Sequence, residues 1–123
     1  MRNACKALIK EDEKYLLLKR SEDHPHFKGL WDFPGGRQDE SETLEQTLIR
    51  EVKEETTLDI VQNKIAKDFE FVNEEFDIHF FIYSLRSYTG KMVLSHEHDE
   101  FAWYSEEEIR KLNLHPSVKM YFE

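Results

Sequence analysis

Glu51, Glu54 and Glu55 stand three and four residues apart. On a helix of about 3.6 residues per turn, that spacing gathers them within roughly 100° of arc. Like charges at these offsets repel by roughly a few tenths of a kcal/mol per pair, so a cation is needed to join them. Mg²⁺ or Mn²⁺ is the natural choice, because hard divalent ions prefer oxygen ligands. A carboxylate-held divalent ion suits phosphoryl chemistry. It bridges phosphate oxygens, offsets their charge and lowers the pKa of a bound water.

The helix that must carry these glutamates has a legible start. Thr43 with Gln46 three residues on forms a capping box, which makes Thr43 the N-cap. Leu48, Ile49 and Val52 form an apolar stripe expected to face the core. Glu42 falls just ahead of the helix, in the loop after Gly35-Gly36. Arg50 lies beside the acidic face, where its guanidinium can hold a carboxylate.

From Gly36 to Leu58 the chain resembles the Nudix box, with Gly36, Glu42, Arg50, Glu51, Val52, Glu54, Glu55 and Leu58 in register. Only the second glycine departs, its place taken by Thr57. Glycine there would let the chain leave the helix in a left-handed conformation, which costs a β-branched residue about 1–2 kcal/mol. The resemblance implies that Glu54 and Glu55 are metal ligands, that Glu51 is a ligand or the general base, and that the Gly35 carbonyl is a further ligand. It implies that Arg50 orients a box glutamate and that Glu42 is the more structural acid. It also implies water attack on a phosphoanhydride bond of a nucleoside diphosphate linked to another group.

Further residues match the branch of that family that cuts nucleoside triphosphates. Glu97 precedes Trp103 by six residues, as a loop glutamate of that branch does, and is a second candidate for base and ligand. Asp99 and Glu100 could take its place. Arg20 matches an arginine that contacts phosphate in MutT-like proteins, with Lys28 as a second candidate. The run WDFPGG is similar to the WEFPGG run of triphosphate pyrophosphohydrolases, and within it Phe33 is a candidate for stacking on a base. His96 and His98 flank Glu97 and read as solvated loop residues rather than a zinc site. His79 alternates into an apolar strand and reads as a hydrogen-bonded core residue.

The elements follow from periodicity. Ala4 to Lys10 and Lys14 to Lys19 read as a hairpin about Glu11-Asp12-Glu13. Leu16, Leu17 and Leu18 call for a strand covered on both faces. Lys64 to Val72 and Asp77 to Tyr88 read as paired strands, the second central. Lys91 to Leu94 reads as a short strand, Ser95 to Glu100 as a polar loop, and the FAWY run as a strand. Ser105 with Glu108 opens a helix ending near Asn113, and Pro116 opens another. Strands mixed with helices give an α/β class. The resemblance, covering Arg20 to Trp103, implies a Nudix-like α/β/α sandwich with a mixed sheet, and residues 1–123 read as one such domain.

Composition narrows the partners. With 123 residues the chain can build a core without staples. Its net charge of −9 argues against a nucleic-acid polymer or a membrane surface as partner. Nucleotides remain compatible, since metal ions neutralise both site and phosphates. Cys5 alone forms no internal disulfide, and the absence of a leader or an apolar span predicts a cytoplasmic protein. Oligomeric state is not readable. The sum predicts a Mg²⁺- or Mn²⁺-dependent hydrolase that cuts a nucleoside triphosphate, ordinary or oxidised, into monophosphate and pyrophosphate. The alternatives are a hydrolase of a nucleotide sugar or dinucleotide, and a Nudix-fold nucleotide-binding protein without catalysis.

Overall fold

The computed structural model describes the backbone of residues 1–123 and every side chain except that of Gln62. The strands are β1 (Arg2–Leu8), β2 (Lys10–Glu11), β3 (Lys14–Arg20), β4 (Trp31–Asp32), β5 (Gly35–Arg37), β6 (Asp59–Val72), β7 (Asp77–Thr89) and β8 (His98–Tyr104). The helices are α1 (Leu44–Thr56), α2 (Glu106–Ile109) and α3 (Pro116–Tyr121). One sheet has the order β5-β1-β7-β6, with β1 and β7 parallel and the other pairs antiparallel. In the second, β3 pairs with β2, β4 and β8, all antiparallel.

Alternation along the strands splits the apolar residues into two cores. Cys5, Ala7, Ile9, Leu16, Leu18 and Tyr83 pack with Leu48 and Val52 of α1. Ala4, Leu8, Leu17, Phe33, Phe80 and Ile82 pack with Ile109 of α2 and Val118 of α3. The sheets therefore lie between α1 on one face and α2 with α3 on the other, in a mixed α/β architecture. Leu16, Leu17 and Leu18 are all sealed, as a strand covered on both faces requires. β7 lies between β1 and β6, the central place its apolar run demands. Among the described residues no helix is long and apolar enough to cross a membrane.

The structure differs from the sequence expectation at several elements. α2 stops at Ile109 rather than near Asn113, because the Lys111 and Leu112 N–H groups turn back to the Glu108 and Ile109 carbonyls, three residues earlier. The hairpin is confined to β2 and β3, because Asp12 and Glu13 both take positive φ (50° and 63°), the geometry of a two-residue turn. β1 breaks off before it and joins the other sheet. Residues 91 to 94 form no strand, since the Val93 and Ser95 N–H groups donate instead to the Thr56 and Glu55 carbonyls at the end of α1, each at 3.0 Å. β6 begins at Asp59 and β8 at His98, so His98 to Glu100 are strand rather than loop. Ile49 is 45% exposed, because α1 turns Leu48, Val52 and Glu55 inward and carries Ile49 off the buried face.

Candidate active site

α1 starts where the capping box places it. The Thr43 hydroxyl accepts the Gln46 N–H at 3.1 Å, and the Gln46 amide oxygen accepts the Thr43 N–H at 2.9 Å. Arg50 then acts as a clamp. Its Nε and Nη2 hold both oxygens of Glu42, Nη2 at 2.9 Å, while Nη1 donates to Glu51 at 3.0 Å. These bonds from Arg50 pull the Glu42 carboxyl down to about 2. Nη1 also reaches Glu54 at 3.2 Å.

Glu55 is buried, and its Oε1 accepts the Gly35 N–H at 2.9 Å. Burial pushes its carboxyl well above the usual range and raises that of half-buried Glu51 as well. Two glycines make this packing possible. A Cβ on Gly35 would lie 2.0 Å from the Cys5 carbonyl, and one on Gly36 would lie 2.4 Å from a Glu51 oxygen. β5 therefore lies directly against β1 and against the Glu51 carboxylate.

A cavity of about 770 Å³ opens beside this packing, with Gly35, Gly36, Glu51 and Glu55 in its wall. Glu54 is not in its wall; it is 54% exposed and paired with Arg50. Glu97 lies on the rim, exposed, with its carboxylate 3.7 Å from His24. Glu100 instead pairs with Lys19 at 3.6 Å, Asp99 and His96 are exposed, and His98 is buried. His79 meets Asp68 at 2.8 Å and stacks on Phe81.

The donor set suits a hard cation in chemistry. Glu51 and Glu55 present carboxylate oxygens, the donor type such ions prefer, and burial has raised both carboxyls. Among the described residues, no three such side chains stand close enough together to hold an ion as they are.

Asp32 is enclosed behind the part of the wall that Lys6 and Arg20 form. Its Oδ2 accepts from Lys6 Nζ and from Arg20 Nη1, each at 2.9 Å. Burial alone would raise this carboxyl; His115, Lys6 and Arg20 together hold it well below the usual range. Arg20 thus reaches the cavity as expected but already engaged, since Nε donates to the His26 carbonyl at 3.1 Å and Nη2 meets the His24 ring at 2.9 Å. Lys28 is exposed and outside the cavity wall. Phe33 is 1% exposed and packs against Tyr121 and Phe122, so it belongs to the core and cannot stack on a base.

Another part of the wall is aromatic. Phe27, Phe76 and His115 line it, with Phe27 at φ 57° and its ring 4.9 Å from Phe76 and 4.7 Å from His115. His115 caps α3, its Nδ1 accepting the Ser117 N–H at 3.1 Å. Reading the sequence missed Lys6, Asp32, Phe27 and His115 as site residues. Lys6 alone carried a usable signal, a charge set between Ala4 and Leu8 on the face of β1 that is otherwise apolar. The others depend on contacts between distant parts of the chain.

The NUDIX domain description matches residues 1–122. Among curated relatives, a CTP pyrophosphohydrolase of Escherichia coli (strain K12) is 29% identical, over 90% of this chain and 81% of its own. An uncharacterized Nudix hydrolase, YvcI, of Bacillus subtilis (strain 168) is 27% identical, over 94% of this chain and 73% of its own. Among solved structures, a MutT protein from Methanosarcina mazei Go1 superposes with a TM-score of 0.88 at 31% identity, covering 98% of this chain and 89% of the other. With that match running nearly end to end, the chain belongs to the NUDIX domain family, whose members are pyrophosphohydrolases acting on phosphoanhydride bonds.

Proposed function

We propose that the protein hydrolyses a nucleoside triphosphate to the monophosphate and pyrophosphate, using Mg²⁺ or Mn²⁺. The observation that carries this reading is one cavity wall that brings together the box carboxylates Glu51 and Glu55, the cations Lys6 and Arg20, and the aromatic rings of Phe27 and Phe76. Carboxylates that hold an ion and cations suit a triphosphate, and aromatic rings suit a base. The naming of one relative as a CTP pyrophosphohydrolase supports the substrate class.

Glu51 and Glu55, with the Gly35 carbonyl, would hold the ion, and Glu54 would join them by leaving Arg50. When bound, the ion offsets phosphate charge and makes water a better nucleophile. Glu51 is the stronger candidate for general base, since burial has already raised its carboxyl toward the operating pH and Arg50 fixes its position. Glu97, on the rim, is the other. Lys6 and Arg20 share one oxygen of Asp32, leaving an excess positive charge in the wall where substrate phosphate would pass. Phe27 offers its ring to the base; stacking of this kind is worth about 1–3 kcal/mol in nucleic-acid sites.

The test is product analysis on a panel of triphosphates in Mg²⁺, with and without added inorganic pyrophosphatase. Pyrophosphate is the expected product, and Glu51→Gln should lower kcat by about 10²–10⁴ against a smaller loss for Glu97→Gln. Orthophosphate released without the helper enzyme would overturn the cleavage site. Brisk turnover of a sugar-linked diphosphate, with no triphosphate cut, would overturn the substrate.

A further inference from the structure

Lys6 places a buried ammonium, only 4% exposed, in the cavity wall, on a face of β1 that is otherwise apolar. Among the described residues its one hydrogen-bond partner is Asp32 Oδ2, at 2.9 Å. An ammonium has three N–H donors, so two are left unspent. Arg20 holds the same Asp32 oxygen at 2.9 Å, so one carboxylate answers two cations. A cation enclosed in this way is costly unless further negative charge meets it.

The nearest such charge is that of the box carboxylates. Lys6 stands opposite Gly35 in the register of β1 with β5, and the Gly35 N–H donates to Glu55 Oε1 at 2.9 Å. Arg50 reaches Glu42, Glu51 and Glu54, and none of its hydrogen bonds goes to Glu55. Burial raises the Glu55 carboxyl, and Lys6 is the leading charge that works against it; Lys6 also works against burial at Glu51, after Arg50. The lysine is therefore a counter-ion to the carboxylates proposed to hold the metal. A divalent ion at those carboxylates is repelled by the ammonium, and phosphate set beside both attracts both.

We propose that Lys6 sets the order of loading at this site, opposing a divalent ion on its own and binding substrate phosphate without the ion. Before phosphate enters, the ammonium serves the carboxylates. Phosphate takes the ammonium over and leaves the carboxylates to the ion, so the ion is favoured together with the substrate and disfavoured alone. The inference rests on the metal-dependent reading given above.

Calorimetry tests it with two probes, Mn²⁺ alone and inorganic tripolyphosphate in EDTA, on the wild type and on Lys6→Met. Methionine is a flexible, uncharged filler, and Asp32 keeps Arg20. Coupling between sites is typically about 5–150-fold, so the Mn²⁺ Kd should fall by about fivefold or more and the tripolyphosphate Kd should rise by about fivefold or more. A lysine that only supports the fold would weaken both or neither, which makes the opposite signs diagnostic. Lys6→Gln, which keeps an N–H for Asp32, takes its place if Lys6→Met has no cooperative Tm. A wild type with no measurable Mn²⁺ binding is read the same way, by whether the variant gains it. Any pattern other than opposite shifts overturns the proposal, and so does a wild type that binds tripolyphosphate only when Mn²⁺ is added. Neither arm involves turnover, so the product analysis decides the reaction reading separately.

Discussion

Thr57 stands where the Nudix box has glycine, and it adopts the backbone that glycine would have had, with φ 62° and ψ 8°. A β-branched residue there bears about 1–2 kcal/mol of strain. Its hydroxyl donates to the Lys91 carbonyl, a contact unavailable to glycine. A neutral hydrogen bond returns about 0.5–1.5 kcal/mol, so the two effects nearly offset. Thr57→Gly should therefore stabilise the protein by at most about 1 kcal/mol, whereas Thr57→Val keeps the strain, loses the bond and should destabilise it by about 1 kcal/mol. Denaturant titration of the three proteins checks both signs, and a destabilised glycine variant would show that the Lys91 bond outweighs the strain. The departure at Thr57 was visible in the sequence because box positions have fixed spacing. The carboxylates of α1 were visible for the same reason. Asp32 was not, since what distinguishes it is enclosure by Lys6, Arg20 and Ser117, none of them near it in the chain.

At the level of elements, the segment after β7 shows why local pattern was insufficient. Residues 91 to 94 alternate like a strand, yet their hydrogen bonds go to the open carbonyls at the end of α1. A helix end lacks partners for its last carbonyls, and this segment supplies them. Sequence windows detect apolar spacing but not a helix end waiting some forty positions earlier. The elements read correctly were those whose signals are self-contained, namely both capping boxes, the Pro116 start of α3 and the buried run of β3. One consequence concerns Glu97. The bond from Ser95 N–H to Glu55 O ties the loop bearing Glu97 to the helix bearing Glu51 and Glu55. Ser95→Pro deletes that N–H, so the rim carboxylate should lose its position relative to α1. Misplacement of about 1 Å costs up to about 10²-fold in rate, so kcat should fall by at least about tenfold while Tm drops only a few degrees. An unchanged kcat would mean that Glu97 plays no part in turnover.

For the molecule as a whole, the burial of Glu55 couples stability to protons and, under the proposed function, to metal. The folded-state pKa of Glu55 lies above its ordinary value of 4.5. The folded chain therefore keeps that proton to higher pH than the unfolded chain does. The stability tied to it is fully present below about pH 4.5 and is lost as pH rises through the raised value. Metal takes the deprotonated carboxylates, so its binding should release protons and strengthen with pH. The metal-free protein should accordingly lose Tm as pH rises above 5, with Mg²⁺ restoring it; at 100 times Kd the ion adds about 2.7 kcal/mol. Glu55→Gln should flatten the pH slope, and Glu51→Gln with Glu55→Gln should remove the metal response. A metal shift surviving in the double variant would place the ion elsewhere. The enclosure of Asp32 has a kinetic consequence too. Its partners lie 12, 26 and 85 positions away, on β3, β1 and α3. A half-folded chain with the sheets formed and α3 still undocked would hold this carboxylate without its Ser117 partner and with the aromatic wall incomplete. Such intermediates are penalised, so the last closure over 85 positions and the appearance of the cavity should be one event.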